Sequence, residues 1–318
     1  MATMVKDKPA WSGESETAFA IAAYSCCSVS MILLNKLVMA TYELDFPMGL
    51  LFMQNLFALC LVVSAKRMGW VFYPDFDTKV VKKWLPLTIL FVLMLFTSMK
   101  SLKLMSVAVQ TILKNLATII TALGDMYLFE KKLTPPMFGA FALMIFGSYL
   151  GTAADPWATP WGLFWTFANI AATVAYVLYM KTLLGSVSQE IGRYGPVFYS
   201  NLLSLPFLFF PAFPTLPAMF AKIGETPAGG LVCLTLMLFV GAVMTFAVFW
   251  CMRLTSPTTY SVVGSLNKIP LAVFGMLIFK HAPTALGAVG IMFALGGGML
   301  YTWLNLPKPK PVDRVTTV

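Results

Sequence analysis

Histidine is all but missing from this chain: His281 is the only one among 318 residues, and it falls at the edge of an apolar stretch, where it reads as a solvated loop residue. A Ser-His-Asp triad or a Cys/His zinc site therefore lacks the residues it needs. Cysteine is nearly as scarce. Cys26, Cys27, Cys60, Cys233 and Cys251 all lie inside apolar stretches without paired spacing, so no disulfide framework is implied. No Asn-x-Ser/Thr acceptor occurs, and glycosylation gives no pointer to a compartment. Among the 13 acidic residues, only Asp125 sits well inside an apolar stretch. The carboxylate cluster that a metal-dependent membrane phosphotransferase needs for Mg²⁺ is absent, which argues against an enzyme. Asp125 lies near the end of its stretch, so an interfacial or paired role is expected before a proton relay. Charge as a whole is low, 11% against the ~25% of soluble domains.

What fills the space is apolar. The chain is 59% hydrophobic with a mean hydropathy of +0.80, the composition of a polytopic membrane protein in contact with lipid. A membrane helix needs ~20 apolar residues. Ten such spans tile the chain, at 17–40, 46–65, 84–102, 105–128, 134–152, 157–181, 195–220, 229–252, 256–279 and 282–304. Only Lys100 and Lys103 divide the third from the fourth. The first 16 residues are polar, and the span after them is too long for a signal peptide, so it is expected as the first retained helix.

With the N-terminus inside, 15 of the 22 Lys and Arg fall in cytosolic segments and four, Lys100, Lys103, Lys222 and Lys280, on the other side. That bias follows the positive-inside rule and puts both termini in the cytosol, as an even number of spans requires. The net charge of +9 is spread over loops and tails, which excludes a nucleic-acid surface.

A shift of 150 residues superimposes the halves weakly and without a gap: KLMS (103–106) on RLTS (253–256), Leu116 on Leu266, Gly147 on Gly297 and Leu150 on Leu300. Few identities support the match. As a true repeat, it divides the chain into a tail 1–16, five helices in 17–152, five in 153–304 and a tail 305–318. An odd number per half forces the second copy to enter from the opposite side. The expected fold class is all-α with ten transmembrane helices in a 5+5 inverted repeat, and a site near the midplane at the repeat interface.

Polar residues lie where that architecture puts a site. Lys114 in TILKNL and Lys268 in GSLNKIP fall in the fourth and ninth spans, next to Asn115 and Asn267. A charge at membrane depth is a functional-site hypothesis. A lone lysine can instead snorkel to the headgroups, but two in equivalent helices argue against that. Tyr260, Gly264 and Lys268 follow i, i+4, i+8 on one face, over ~12 Å; a kinked helix with Gly264 at a packing contact is the competing account. Tyr199, Ser200 and Asn201 lie between Pro196 and Pro206 in the seventh span. Their polar atoms suit a nucleobase edge, or equally hydrogen bonds between helices. Thr245 and Tyr24 are weaker candidates, each readable as packing alone. The cationic balance inside the spans suits a phosphate or diphosphate, with no bound cofactor or metal.

Phe198-Tyr199-Ser200-Asn201 and Gly264-Ser265-Leu266-Asn267-Lys268, with LLNK (33–36), LKNL (113–116) and TSPTTYSVVG (255–264), resemble the GDP-mannose transporters of the Golgi nucleotide-sugar transporter family, in the drug/metabolite transporter superfamily. That family's motifs read FYNN and GALNK. The resemblance implies a Golgi-membrane antiporter that exchanges a cytosolic GDP-sugar for lumenal GMP by alternating access. It implies guanine near Ser200 and Asn201 with Thr245 as a hydroxyl partner. The ribose, diphosphate and sugar would lie at Tyr260, Gly264, Ser265, Asn267 and Lys268, with Tyr24 and Lys114 completing the cavity. Ser200 and Ser265 depart from the motifs, and either change could shift the range among GDP-sugars. Small residues at four-residue spacing, Gly147 and Gly151, and Gly290, Ala294 and Gly298, pack helices within the chain or, as the resemblance implies, across a homodimer. A carrier of UDP-sugars or other phosphorylated metabolites, and a non-transporting membrane scaffold for cargo or lipid, are the alternatives. The PKPKP tail is expected in an extended conformation.

Overall fold

The computed structural model describes residues 13–104, 107–153, 159–267 and 285–305. Every regular element among them is helical. In lipid a backbone must satisfy its own hydrogen bonds, and the helix does so within one segment. The helices are α1 (Gly13–Lys36), α2 (Pro47–Arg67), α3 (Thr78–Leu104), α4 (Val107–Phe129), α5 (Pro135–Ala153), α6 (Pro160–Ile191), α7 (Gly195–Ala212), α8 (Leu216–Glu225), α9 (Ala228–Leu254), α10 (Pro257–Leu266) and α11 (Ala285–Asn305). Proline opens α2, α5, α6 and α10. At that first position its missing N–H deprives the helix of nothing.

Among the described residues, seven stretches are long and apolar enough to cross a membrane: Ser15–Met39, Pro47–Arg67, Thr78–Ser98, Pro135–Ala153, Pro160–Val187, Gly195–Glu225 and Ala228–Leu254. The chain is therefore a polytopic membrane protein. Its surface agrees. On α3, Leu85, Ile89, Leu93 and Phe96 form one outward stripe, each 37–49% exposed. A row of that size facing water would cost burial free energy all along its length.

Several span ends move. The third and sixth spans were expected at 84–102 and 157–181, but α3 starts at Thr78 and α6 runs to Ile191. These extensions pack on each other: Val80, Trp84 and Leu87 meet Leu183, Leu184, Val187 and Ile191 in one buried cluster. Hydropathy stops at Lys82, Lys83 and Lys181, whereas an amphipathic helix continues while one face stays covered. The seventh span is not one helix to 220. It breaks after α7 into a 3₁₀ turn, Phe213–Thr215, and resumes as α8 to Glu225. Pro211, Pro214 and Pro217, three residues apart, withdraw the donors that a continuous helix would need. The expected ninth span begins as α10, and its remainder from residue 268 lies outside the described residues.

Helix α3 packs on α6 and α7, α2 on α7 and α9, α1 on α9, α4 on α6, α5 and α10, and α11 on α5 and α10. The α5–α11 contact is the most extensive. There Gly147 faces the Ala294 backbone and the Gly290 carbonyl, while Gly290 faces Gly151. The third small residue in the seam is Gly297, against Ala140 and Met144, and not Gly298, where an added Cβ would meet nothing within 4 Å among the described residues. The series 290, 294, 297 keeps step with 3.6 residues per turn, and 298 drifts off the face.

Candidate functional site

Lys66, Lys79, Lys83, Lys131, Lys181, Arg193 and Arg253 gather at one end of the bundle, called the basic end below. Tyr24 on α1 lies buried about two turns inside from Glu16, stacked on Tyr260 of α10 at 4.9 Å between ring centroids. Its hydroxyl sits 3.1 Å from where a Cβ on Gly264 would be. That is tighter than an ordinary van der Waals contact, so a side chain at 264 would require the Tyr24 hydroxyl to give by a few tenths of an ångström. Tyr24 thus meets two other expected site residues, Tyr260 and Gly264, 236 and 240 positions away in sequence. Cys251 and Ala247 of α9 and Val263 close the apolar wall around Tyr24.

Lys114 is half-buried and donates to the Ser98 hydroxyl at 2.9 Å. Ser98 belongs to a polar face of α3. Gln110 donates to its carbonyl at 3.2 Å, Asn169 of α6 reaches the Met94 carbonyl and Thr97 hydroxyl, and Ser101 pairs with Thr166 at 2.6 Å. This face orients the lysine, and no local sequence pattern marks it.

Asp125 and Thr258 join the antiparallel helices α4 and α10. Counting back from Asp125 and forward from Thr258 by nine or ten residues, ~14 Å at the helical rise, brings Asn115 and Asn267 to one level. Both are buried, and among the described residues each holds an amide atom with no hydrogen-bond partner: the Asn115 Oδ1 and the Asn267 Nδ2. Buried polar atoms are normally satisfied, so this acceptor and this donor are available to a polar ligand.

The FYSN segment is used differently. Tyr199 is buried, and its hydroxyl accepts the Asp77 N–H at 2.9 Å. Ser200 Oγ accepts the Trp84 indole N–H at 2.9 Å, across 116 sequence positions. Asn201 turns its Nδ2 back to the Val197 carbonyl at 2.7 Å. Thr245 is half-buried and bonds the Gly241 carbonyl at 3.1 Å. Tyr199 and Ser200 therefore tie α7 to α3, while Tyr24, Tyr260 and Gly264 form a separate group. Trp84, the partner of Ser200, escaped the sequence reading. Trp84→Phe and Ser200→Ala should each lower stability by about 1 kcal/mol, and the double variant by no more than either alone. Additive losses in thermal midpoint would show that the bond does not couple the two helices. The Ser265 side chain and Lys268 lie outside the described residues.

A cavity of about 340 Å³ opens at the basic end beside Tyr199. Asp75, Asp77 and Glu190 line it against Lys79 and Lys83, so its charge does not select an anion. Lys66 binds Asp75 at 2.7 Å and holds that carboxyl below its usual range. Burial pushes the Lys131 ammonium below its usual range, against the opposing pull of Asp125.

Residues 15–302 match the model of the Triose-phosphate Transporter family. Among curated proteins, the GDP-mannose transporter GONST1 of Arabidopsis thaliana is 34% identical over 288 residues, covering 88% of this chain and 86% of its own length. The GDP-mannose transporter of Komagataella pastoris is 30% identical over 294 residues, 88% of each chain. That of Neurospora crassa is 33% identical over 309 residues, covering 89% of this chain and 78% of its own. One solved crystal structure superimposes with a TM-score of 0.59 at 14% identity, over 92% of this chain and 98% of the other, and it supports the fold alone. A family match across nearly the whole chain, on a bundle of apolar helices with polar groups held at depth, leads to one conclusion: the chain belongs to the Triose-phosphate Transporter family and is a multi-pass membrane transporter, not an enzyme.

Proposed function

We propose that this transporter is a Golgi antiporter that takes a GDP-sugar, GDP-mannose first, from the cytosol in exchange for lumenal GMP. The observation that carries the reading is the meeting of Tyr24, Tyr260 and Gly264 at the face of α10, in a chain about a third identical to proteins named GDP-mannose transporters. In this reading Tyr260, Gly264, Ser265, Asn267 and Lys268 hold the ribose, diphosphate and sugar, and Tyr24 and Lys114 complete the cavity from the other half. Tyr199, Ser200, Asn201 and Thr245 act on the guanine side, Tyr199 and Ser200 by fixing α7 against α3. No cofactor takes part.

The mechanism we propose is alternating access between 17–152 and 153–304, ten spans in a 5+5 inverted repeat with tails 1–16 and 305–318 in the cytosol. Helix packing supports the repeat. Taking α7 and α8 together as one span, replace each helix by the one five spans on. The α3–α6 contact then becomes α9–α1, α2–α9 becomes α7–α3, and α4–α5 becomes α10–α11. The pairs α2–α7, α4–α10 and α5–α11 map onto themselves, as pairs on a two-fold axis must. A homodimer would use the outer faces of α5 and α11, where Phe146, Tyr149 and Met292 are exposed, because the glycine seam is consumed inside the chain.

The test is uptake of labelled GDP-mannose into proteoliposomes preloaded with GMP, UMP, CMP or nothing. We expect uptake driven by GMP alone. Uptake driven by UMP or CMP moves the protein to another nucleotide-sugar, and no uptake by folded protein favours another phosphorylated substrate or a scaffold.

A further inference from the structure

Two arms of the protein meet at the basic end through polar contacts that are absent from the family-derived site. Helix α10 begins with Pro257, which has no N–H, so its first free donors are the amides of Thr258 and Thr259. Ser256 Oγ accepts the Thr259 N–H at 3.2 Å, as an N-cap residue does. The Thr258 N–H is taken by a carboxylate from another helix, Asp125 Oδ2 at 3.3 Å, which also accepts the Thr258 hydroxyl. A carboxylate at a helix N-terminus is stabilised by the aligned backbone dipoles. Lys131 completes the arrangement, 3.6 Å from the same carboxylate and donating to Ser256 Oγ at 2.9 Å. Asp125 is 1% exposed. From the other side, Lys181 of α6 donates to the Met252 carbonyl at 2.9 Å and to the Thr255 carbonyl, fixing the α9–α10 turn.

The chain positions matter. Asp125 and Lys131 precede residue 153, and Ser256 and Thr258 follow it, so these bonds cross between the two proposed halves. At the opposite end the ion pair is Lys222–Glu43 at 3.2 Å, exposed and of a kind that contributes little. The halves there are held by apolar packing of Val38, Leu44 and Leu50 on Met219, Leu234 and Met237. Thr258 is two residues before Tyr260 and six before Gly264, so whatever holds the start of α10 also holds the two residues against Tyr24. Cys251 lies beneath, fully buried, with its thiol 3.8 Å from the Thr255 hydroxyl.

We propose that Asp125 is a positioning residue for transport: with Lys131 it latches the N-terminus of α10 and closes the basic end, and its release opens that end and uncovers Cys251. The inference rests on the transport reading for its purpose, but the latch is testable without substrate. In a chain with Cys26, Cys27, Cys60 and Cys233 replaced by alanine, Cys251 is the one remaining thiol. Its rate of reaction with a charged, water-soluble methanethiosulfonate reports opening. Asp125→Asn, which keeps the volume, should raise that rate by about tenfold, the factor that 1.4 kcal/mol makes in an opening equilibrium. Asp125→Glu should remain close to the native rate. Met144→Cys, introduced with Cys251 also removed, reports on the α5–α11 seam and should stay protected with or without Asp125→Asn.

An unchanged Cys251 rate in Asp125→Asn overturns the proposal. So does an equal rise at Met144→Cys, which would make Asp125 a general prop of the fold. If the native chain fails to exchange GMP while the labelling behaves as expected, the substrate reading falls and the latch stands. If exchange is normal and labelling does not respond, the reverse holds.

Discussion

If the proposed exchange is right, Lys114→Ala should lower GDP-mannose uptake into GMP-loaded proteoliposomes by roughly 30-fold to several-thousand-fold, corresponding to the ~2–5 kcal/mol lost when one partner of a buried charged contact is truncated. The ammonium is held at membrane depth by the Ser98 hydroxyl at 2.9 Å, on the α3 face that Gln110 and Asn169 also bond. Placing a cation there is costly in itself, and in the proposed function an anionic diphosphate would recover that cost on binding. Lys114→Arg keeps the charge and should retain partial uptake. Ser98→Ala removes only the orienting bond and should cost about fivefold, or ~1 kcal/mol. Native rates from well-folded Lys114→Ala would remove the charge from the mechanism.

Gly147→Val is the substitution with the largest expected effect on the fold. A Cβ at Gly147 runs into the Ala294 backbone nitrogen and stands 2.6 Å from the Gly290 carbonyl. Those neighbours are main chain on a packed helix, so they cannot rotate away as a side chain would. Overpacking of this kind costs about 1–3 kcal/mol, and the rigid backbone on the far side places it at the upper end. The expected readout is a clearly lower thermal midpoint in detergent. Gly298→Ala is the control. A Cβ there meets nothing within 4 Å among the described residues, and alanine favours the helix by up to ~1 kcal/mol, so its midpoint should hold or rise. Equal losses in the two variants would show that the seam is not what makes glycine necessary at position 147.

Class and membrane character were legible from composition, because a chain with so little charge has no means of solvating a water-facing surface. Most span positions were legible for the same reason, and Pro47, Pro135, Pro160 and Pro257 marked helix starts. Spans three, six and seven were misplaced at their ends. Lysines tolerated on an amphipathic face do not end a helix, and the Pro211, Pro214 and Pro217 series breaks one that hydropathy reads as continuous.

At the site, the periodicity of the ninth span put Tyr260 and Gly264 on one face, and they do share it against Tyr24. The paired role expected for Asp125 is also what the structure holds, with Thr258 and Lys131 as partners. Motif spacing could not say that the Ser200 hydroxyl is taken by Trp84, or that Asn201 folds back on Val197. By itself, the sequence determined the solvent the protein lives in, most of the segments that cross it and the residue types it carries at membrane depth. These depend on local composition and period. Which of those residues meet was decided only by the tertiary structure. Asp125 finds Thr258 at 133 positions and Trp84 finds Ser200 at 116, and such pairings depend on how helices cross, a property that no local stretch contains.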